Sequence, residues 1–347
     1  MSTFEILDTL TQASGPSGYE LSGASQTAAA MLEPLVDTVR IDPMGNVIGV
    51  RRCGKKHAKR LLLDAHIDEV GLIVTGYEEG GFLRFTQLGG IDPRLLPDRE
   101  VTILAEQPLF GVITAQSASF YEGADSALPM TKLAIDTGYP TERLKELVPV
   151  GTPVAYREPC FALGKKQIAS KSMDDRSCVA VILKALQLLA GETLDVDLYV
   201  VGSCCEEVGG QGAVVTAYDI APDWAVALDV TFAQTPDAPD KGFALGSGPA
   251  IGIGPNVAWW MAERFICKAK ELNIQYSEEV MAGNTGTNGW ELQISREGVP
   301  TAILSLPEKY MHTPIEVIHR KDFKNCAKLL AAFVRNLGKE AEQYAAE

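Results

Sequence analysis

The segment DVDLYVVGSCCEEVGGQGAVVTAYDIAPDWAVALDV, residues 195–230, decides how the fold is read. VDLYVVG is a short, nearly unbroken apolar run, the pattern of a strand covered on both faces. A glycine-rich loop follows, then a helical stretch, then a second apolar run, WAVALDV. Strand, loop, helix, strand is the repeating unit of an α/β sheet. Where the first strand ends, two cysteines and two glutamates stand side by side. Adjacent carboxylates at the end of a buried strand call for a chemical reason.

Working outward, the same alternation recurs. Upstream, KRLLLDAHIDEVGLIV (59–74) reads as one continuous apolar strand with charges near its end, and TVRIDPMGNVIGVR (38–51) as a hairpin. Residues 4–14 and 20–34 carry helical spacing, split by SGPSGYE. GKKQIASKSMDDRSCVAVILKALQLLAG (164–191) gives strand, loop and long helix. Downstream come a helix in PNVAWWMAERFICKAKELNI, a strand in VPTAILSLP and one closing helix over 321–344. Between them, short runs such as LRFTQL, EVTILAE and TPVAY alternate with Gly, Pro and Asp turns, with one helix near PTERLKEL. The expected architecture is α/β, a central mixed sheet flanked by helices, with a small all-β domain inserted into it. The division is 1–70 with 165–347 for the main domain and 71–164 for the insert. The short strands of the insert are expected to leave edges that need cover.

Composition narrows the function. The chain has 347 residues, 46% of them hydrophobic, and a formal net charge of −14, which argues against nucleic-acid binding. No run reaches the roughly 20 apolar residues of a membrane helix, and no signal peptide is apparent at the start. The seven cysteines include no CxxC and read as reduced thiols, so the expected location is cytoplasmic.

Potential metal ligands close the apolar runs. His66 and Asp68 follow one, Glu206 and Glu207 another, Asp229 lies in a third and His312 follows a fourth, while Asp174 and Asp175 stand just ahead of a helix. Ligands of open α/β sheets bind beyond the carboxyl ends of the strands. One charged residue there means little; this many in one pocket would repel unless cations neutralised them. There are four histidines, and the two that end apolar runs, His66 and His312, suit zinc or cobalt rather than magnesium or calcium. His57 in KKHAKR reads as solvated, His319 as an ordinary helix-start residue, and Asp68 as a partner for the second nitrogen of His66.

At these residues the sequence resembles the tetrahedral-assembly (TET) aminopeptidases, dinuclear-metal exopeptidases also known as glutamyl aminopeptidases and, in older usage, endoglucanases. DAHIDEVGLIV, GGIDPRLL, LAIDTG, SKSMDDR, EEVGGQGA, ALDV and REGVPTAILSLPEKYMHTPIEV carry the resemblance in order over nearly the whole chain. It implies a zinc-exopeptidase-like fold and two divalent metal ions per subunit, Zn or Co. It makes His66 and Asp229 ligands of one metal, Glu207 and His312 of the other, and Asp174 the bridge. Glu206 becomes the general base that takes a proton from the attacking water, and Asp68 the partner of His66. The implied substrates are peptides, cleaved at the N-terminus. The implied partner is a further copy of the chain, the insert building dimers that associate into a hollow dodecamer. Three departures stand out. Cys204 and Cys205, read as packing residues, replace a usual Gln. Lys309 stands where Arg is common. Asn288 in TGTNG stands where Asp is usual, which puts substrate contacts from that loop in question. The alternatives are a catalytically impaired metal-binding paralogue and a glycosidase, since paired carboxylates also cleave sugars.

Overall fold

The central strands of the large sheet form where the sequence has too little polar surface to face water. β1 (Thr38–Ile41) and β2 (Val47–Arg51) make the expected hairpin, and β3 (Arg60–His66) carries Leu61, Leu62 and Leu63, all fully buried. The computed structural model describes residues 1–114 and 128–344. The remaining strands of this sheet are β10 (Phe161–Leu163), β11 (Gln167–Ser170), β12 (Asp197–Ser203), β13 (Trp224–Phe232), β14 (Ala250–Ile253), β15 (Ser277–Val280), β16 (Thr301–Lys309) and β17 (Glu316–His319). Its order is β1-β2-β12-β3-β13-β16-β17-β11-β10, with β14 joined to β16 and β15 to β14. β12, β3, β13 and β16 are mutually parallel and buried almost throughout, as a centre covered by helices requires.

The helices are α1 (Thr3–Gln12), α2 (Ala24–Leu32), α3 (Thr141–Leu147), α4 (Met173–Leu188), α5 (Gln211–Ile220), α6 (Trp259–Glu271), α7 (Gly289–Leu292), α8 (Arg320–Val334) and α9 (Leu337–Tyr344). α4 packs on β3 and β13 with α1 and α8 beside it, while α5 and α7 meet each other and touch β12 and β13. The expected closing helix is broken at Arg335 and Asn336, where Arg335 leaves helical geometry and Asn336 turns left-handed. The buried guanidinium of Arg264 explains the break: it donates to the Phe333 and Arg335 carbonyls that a continuous helix would consume.

KRLLLDAHIDEVGLIV is likewise two strands. β3 stops at His66, and the chain leaves the sheet before β4 (Gly71–Glu78) enters a different one. With β5 (Phe82–Leu88), β6 (Glu100–Ile103), β7 (Leu109–Ile113), β8 (Ile135–Asp136) and β9 (Pro153–Tyr156), β4 closes a barrel in the order β4-β5-β8-β7-β6-β9. Leu72, Val74, Leu83, Val101, Ile103 and Val154 fill it. Closure satisfies the strand edges, so the edges expected to need cover are absent among the described residues. What faces outward instead is apolar: Phe110 and Val112 on β7 are 64% and 46% exposed. Of the range 71–164, residues 115–127 lie outside the described residues, and β10 pairs with β11 of the large sheet.

The departure from the sheet after His66 is fixed by buried charge. Glu69 accepts from the Gly15 amide (3.0 Å), pairs with Lys171 (2.5 Å) and Arg176 (3.3 Å), and takes the Ser172 hydroxyl. Arg176 also donates to the carbonyls of Ile67 (2.9 Å), Leu10 (3.1 Å) and Ala13, tying α4 to the end of β3 and to α1. Removing one member of such a set leaves charge buried and uncompensated. Arg176→Met is expected to cost about 3–5 kcal/mol in urea unfolding. Arg143→Ala, which breaks the exposed pair with Glu146, should cost under about 1 kcal/mol. Equal losses in the two variants would contradict this account.

Candidate metal centre

Parallel pairing aligns the carboxyl ends of the central strands. His66 ends β3 opposite Ser203 of β12, so the Glu206–Glu207 turn after β12 begins beside it. Asp229 lies on β13 opposite Ser305 of β16, and the chain beyond β16 returns as a turn bearing His312. Asp174 comes from the first residues of α4. Its backbone (φ −72°, ψ 108°) is not helical, and the Asp174–Asp175 peptide bond is cis.

These residues meet in a cavity of about 290 Å³ lined by His66, Asp174, Glu206, Glu207, Asp229 and His312. Asp174 sits between two imidazoles: Oδ1 is 3.0 Å from His66 Nε2 and Oδ2 is 3.2 Å from His312 Nε2. Glu207 Oε2 is also 3.2 Å from His312 Nε2. Asp68 lies behind His66, with Oδ1 3.4 Å from Nδ1, and does more than the sequence indicates. It accepts from the amides of Glu206 (3.0 Å) and Glu207 (3.2 Å) and from the Ser17 hydroxyl (2.5 Å). One buried carboxylate thus orients both the imidazole and the turn carrying the paired glutamates.

Sequence reasoning did not single out Glu316, which holds the pocket from the other side. Its carboxylate accepts from the Asp174 amide (3.0 Å) and the His312 amide (2.9 Å). Asp175 also enters the geometry. Ligand atoms of His66, Asp175 and Asp229 lie within 4.8 Å of one another, as do those of His66, Asp174 and Glu207. A third grouping, Glu20 with Cys204 and Cys205, lies beside the same turn.

The electrostatics are those of a crowd of acids. Burial pushes the carboxyls of Asp229, Asp175 and Glu316 well above the usual range, and neighbouring carboxylates add to it. Burial, then Glu207, Asp68 and Asp174, raises Glu206 to about 8, against the pull of His66. Burial alone would lower the two imidazoles. The hydrogen bonds to Asp174 and Asp68 hold His66 well above its ordinary value, and those to Asp174 and Glu207 hold His312 at about 11. Glu207 Oε1 is buried without a hydrogen-bond partner among the described residues, and the buried oxygens of Asp175 have none there beyond the Cys178 thiol. Two imidazoles and several carboxylates with orphaned oxygens fit a borderline divalent cation, which would replace protons as the neutralising charge.

The barrel reaches this pocket through Gly89 and Gly90. A Cβ on Gly89, which has φ +81°, would lie 3.2 Å from the Cβ of Glu207, and one on Gly90 3.0 Å from His312 Nδ1. Asn288 is placed elsewhere. It is buried at the start of α7, donates to Asp64 Oδ2 and Ser203 Oγ (2.8 Å each), and is not among the lining residues; Thr285, Gly286 and Thr287 of its loop are. Cys204 is buried, with its amide on Asn46. His57 is exposed, and His319 caps α8 by accepting from the Lys321 amide.

The chain belongs to the M42 glutamyl aminopeptidase family, whose profile matches residues 45–329. It is 31% identical over 346 residues to a lysyl aminopeptidase of Pyrococcus furiosus, covering 97% of this chain and 98% of that one. It superposes on an aminopeptidase of the archaeon Desulfurococcus kamchatkensis with a TM-score of 0.89 at 34% identity, over 97% and 96% of the two chains. With the TET1 peptidase of Pyrococcus horikoshii, which can assemble into a tetrahedron or a large octahedral shell, the TM-score is 0.83 at 30% identity over 96% and 99%. Aminopeptidase relatives and a shared fold over the whole length make this a hydrolase of the aminopeptidase class.

Beneath the pocket, burial raises Asp64 to about 6, opposed by its hydrogen bonds with Asn288 and Ser203. Its folded pKa lies above the unfolded value of about 3.9, so the folded state holds the extra proton in that window and ionisation costs stability above it. Asp64→Asn removes that titration while keeping an acceptor for Asn288. Its stability relative to wild type should therefore rise between pH 4 and pH 8 by on the order of 2 kcal/mol, read by urea unfolding. A flat difference across that range would show that Asp64 does not titrate there.

Proposed function

We propose that this protein is a metal-dependent aminopeptidase that removes N-terminal residues from peptides, with two divalent cations, zinc or cobalt, and Glu206 as general base. The observation that carries the reading is the position of Asp174, with one carboxylate oxygen on His66 and the other on His312. His66 and Asp229 would hold one cation, Glu207 and His312 the other, and Asp174 both. When bound, the cations supply Lewis-acid polarisation of the scissile carbonyl and acidify the attacking water.

The rest is done by the chain's own groups. Asp68 fixes the His66 ring and, through the amides of Glu206 and Glu207, the direction each glutamate takes. Glu207 turns to His312, which leaves the Glu206 carboxylate free in the cavity. A Glu206 oxygen accepts the proton of the attacking water and returns it to the leaving amine. A base raised by burial and by its neighbours is suited to giving the proton back, and neutralisation of those neighbours brings it toward working pH. A cavity of about 290 Å³ fits one terminal residue and the scissile bond better than an extended chain. The free cysteines agree with a reducing, cytoplasmic setting.

Glu206→Gln is expected to keep its metal yet lose turnover of aminoacyl anilides by on the order of 10²-fold or more, whereas Asp174→Ala should lose bound metal. Metal analysis beside an anilide panel reads both. Near-normal turnover in the first variant, or unchanged metal in the second, would remove the assignments.

The barrel is proposed to join subunits. Its support is the outward apolar face of Phe110 and Val112 and the similarity to a shell-forming peptidase. Light scattering should give a mass near twelve chains, falling to one or two when Phe110→Glu and Val112→Lys are combined. A wild-type mass of one or two chains would end the dodecamer reading and leave the metal centre untouched.

A further inference from the structure

The wall of the cavity also holds a carboxylate that the chemistry above does not use. Glu279 lies on β15, opposite Gly252 of β14, so no side chain faces it across the pair. Thr231 Oγ1 donates to Oε1 at 2.5 Å. The second oxygen, Oε2, is buried and has no hydrogen-bond partner among the described residues. No lysine or arginine lines the cavity among those residues, while Met281 and Phe232 beside Glu279 give it an apolar wall. A carboxylate oxygen shielded from water and left unpaired is a poor ground state, and it is relieved by a donor that carries positive charge. An apolar wall ending in such an oxygen matches a side chain with a methylene stem and a cationic tip.

We propose that Glu279 makes this cavity select peptides whose first residue is lysine or arginine, with Thr231 holding the carboxylate in place and Met281 and Phe232 flanking the stem. This selectivity presupposes the aminopeptidase reading above. Glu206 and Glu207 do not compete for the cationic tip, because they belong to the acid cluster around Asp174 and His312. A site that leaves a shielded carboxylate oxygen unpaired discriminates against a ligand lacking the matching donor.

Norleucine has the lysine stem without the ammonium, so the two differ only in the group Glu279 would bind. On zinc- or cobalt-loaded protein, kcat/KM for lysine para-nitroanilide should exceed that for the norleucine compound by about tenfold or more. Calorimetry with free L-lysine and free L-norleucine should show the same order. In Glu279→Gln the lysine:norleucine ratio should fall toward one in both measurements. In Glu279→Lys the preference between lysine and glutamate anilides should reverse. Circular dichroism and metal content at wild-type levels establish that each variant is folded. A ratio near one in the wild type overturns the selectivity. So does a parallel loss on every substrate in Glu279→Gln with the ratio kept, since Glu279 would then hold the α-amine common to all. Inactivity on every anilide, with lysine still bound more tightly than norleucine, removes the catalytic reading and upholds the role of Glu279. Turnover without preference does the reverse.

Discussion

Asp174 presents each of its carboxylate oxygens to a different imidazole, His66 and His312, and much of the molecule serves to hold it there. Glu316 fixes its amide, and the same carboxylate fixes the His312 amide, so the two residues are located by one acceptor. Next to this cluster stands Glu69, equally buried, and the contrast is instructive. Glu69 is neutralised from within by Lys171 and Arg176, and its oxygens are satisfied. Among the described residues, the carboxylates around Asp174 have no lysine or arginine in the cavity wall, and several of their oxygens lack a hydrogen-bond partner. A buried acid must be matched by a cation or a proton. The chain supplies the match for the first group and leaves it to something external for the second, which is how a structural ion network differs from a site.

The adjacency of Glu206 and Glu207 follows from the same economy of position. Consecutive residues in a turn project in different directions, and here both amides are tied to Asp68. Both side chains border the cavity, and that of Glu207 also contacts His312. The glycines that follow let α5 begin immediately. A Cβ on Gly212 would lie 2.3 Å from the Cys204 carbonyl, so the turn closes only without a side chain there.

What the sequence disclosed was whatever leaves a local mark. Apolar runs ending in His66, Asp229 and the paired glutamates are visible because burial and chemistry change within a few residues. Glu316 left no mark, since a glutamate at the start of a strand looks like any surface residue until its partners, the nearby His312 amide and the Asp174 amide from a distant element, are known. Asp175 was visible beside Asp174, but its approach to Asp229 on another strand was not. The split between β3 and β4 was lost in the strand reading, though not in the division at residue 71, because both strands are apolar, and the bend is set by Glu69 meeting cations about a hundred positions away. The break between α8 and α9 depends on Arg264 in another helix. Asn288 was read through its loop, whereas its partner is Asp64, remote in sequence. Most of the missed features are non-local, held by hydrogen bonds or ion pairs between residues remote in sequence.

The barrel and the metal centre are not separate matters. The chain enters the barrel directly from the segment holding His66 and Asp68, and the Gly89–Gly90 loop that follows β5 returns so close to Glu207 and His312 that an added Cβ would crowd them. Close packing leaves no slack at that contact, so a shift of the barrel against the sheet displaces the two residues proposed to hold the second cation. A subunit contact on the outer face of the barrel would therefore do more than gather copies of the chain. It would fix the loop that sets the spacing of Glu207 and His312, and so join the state of assembly to the geometry of the site.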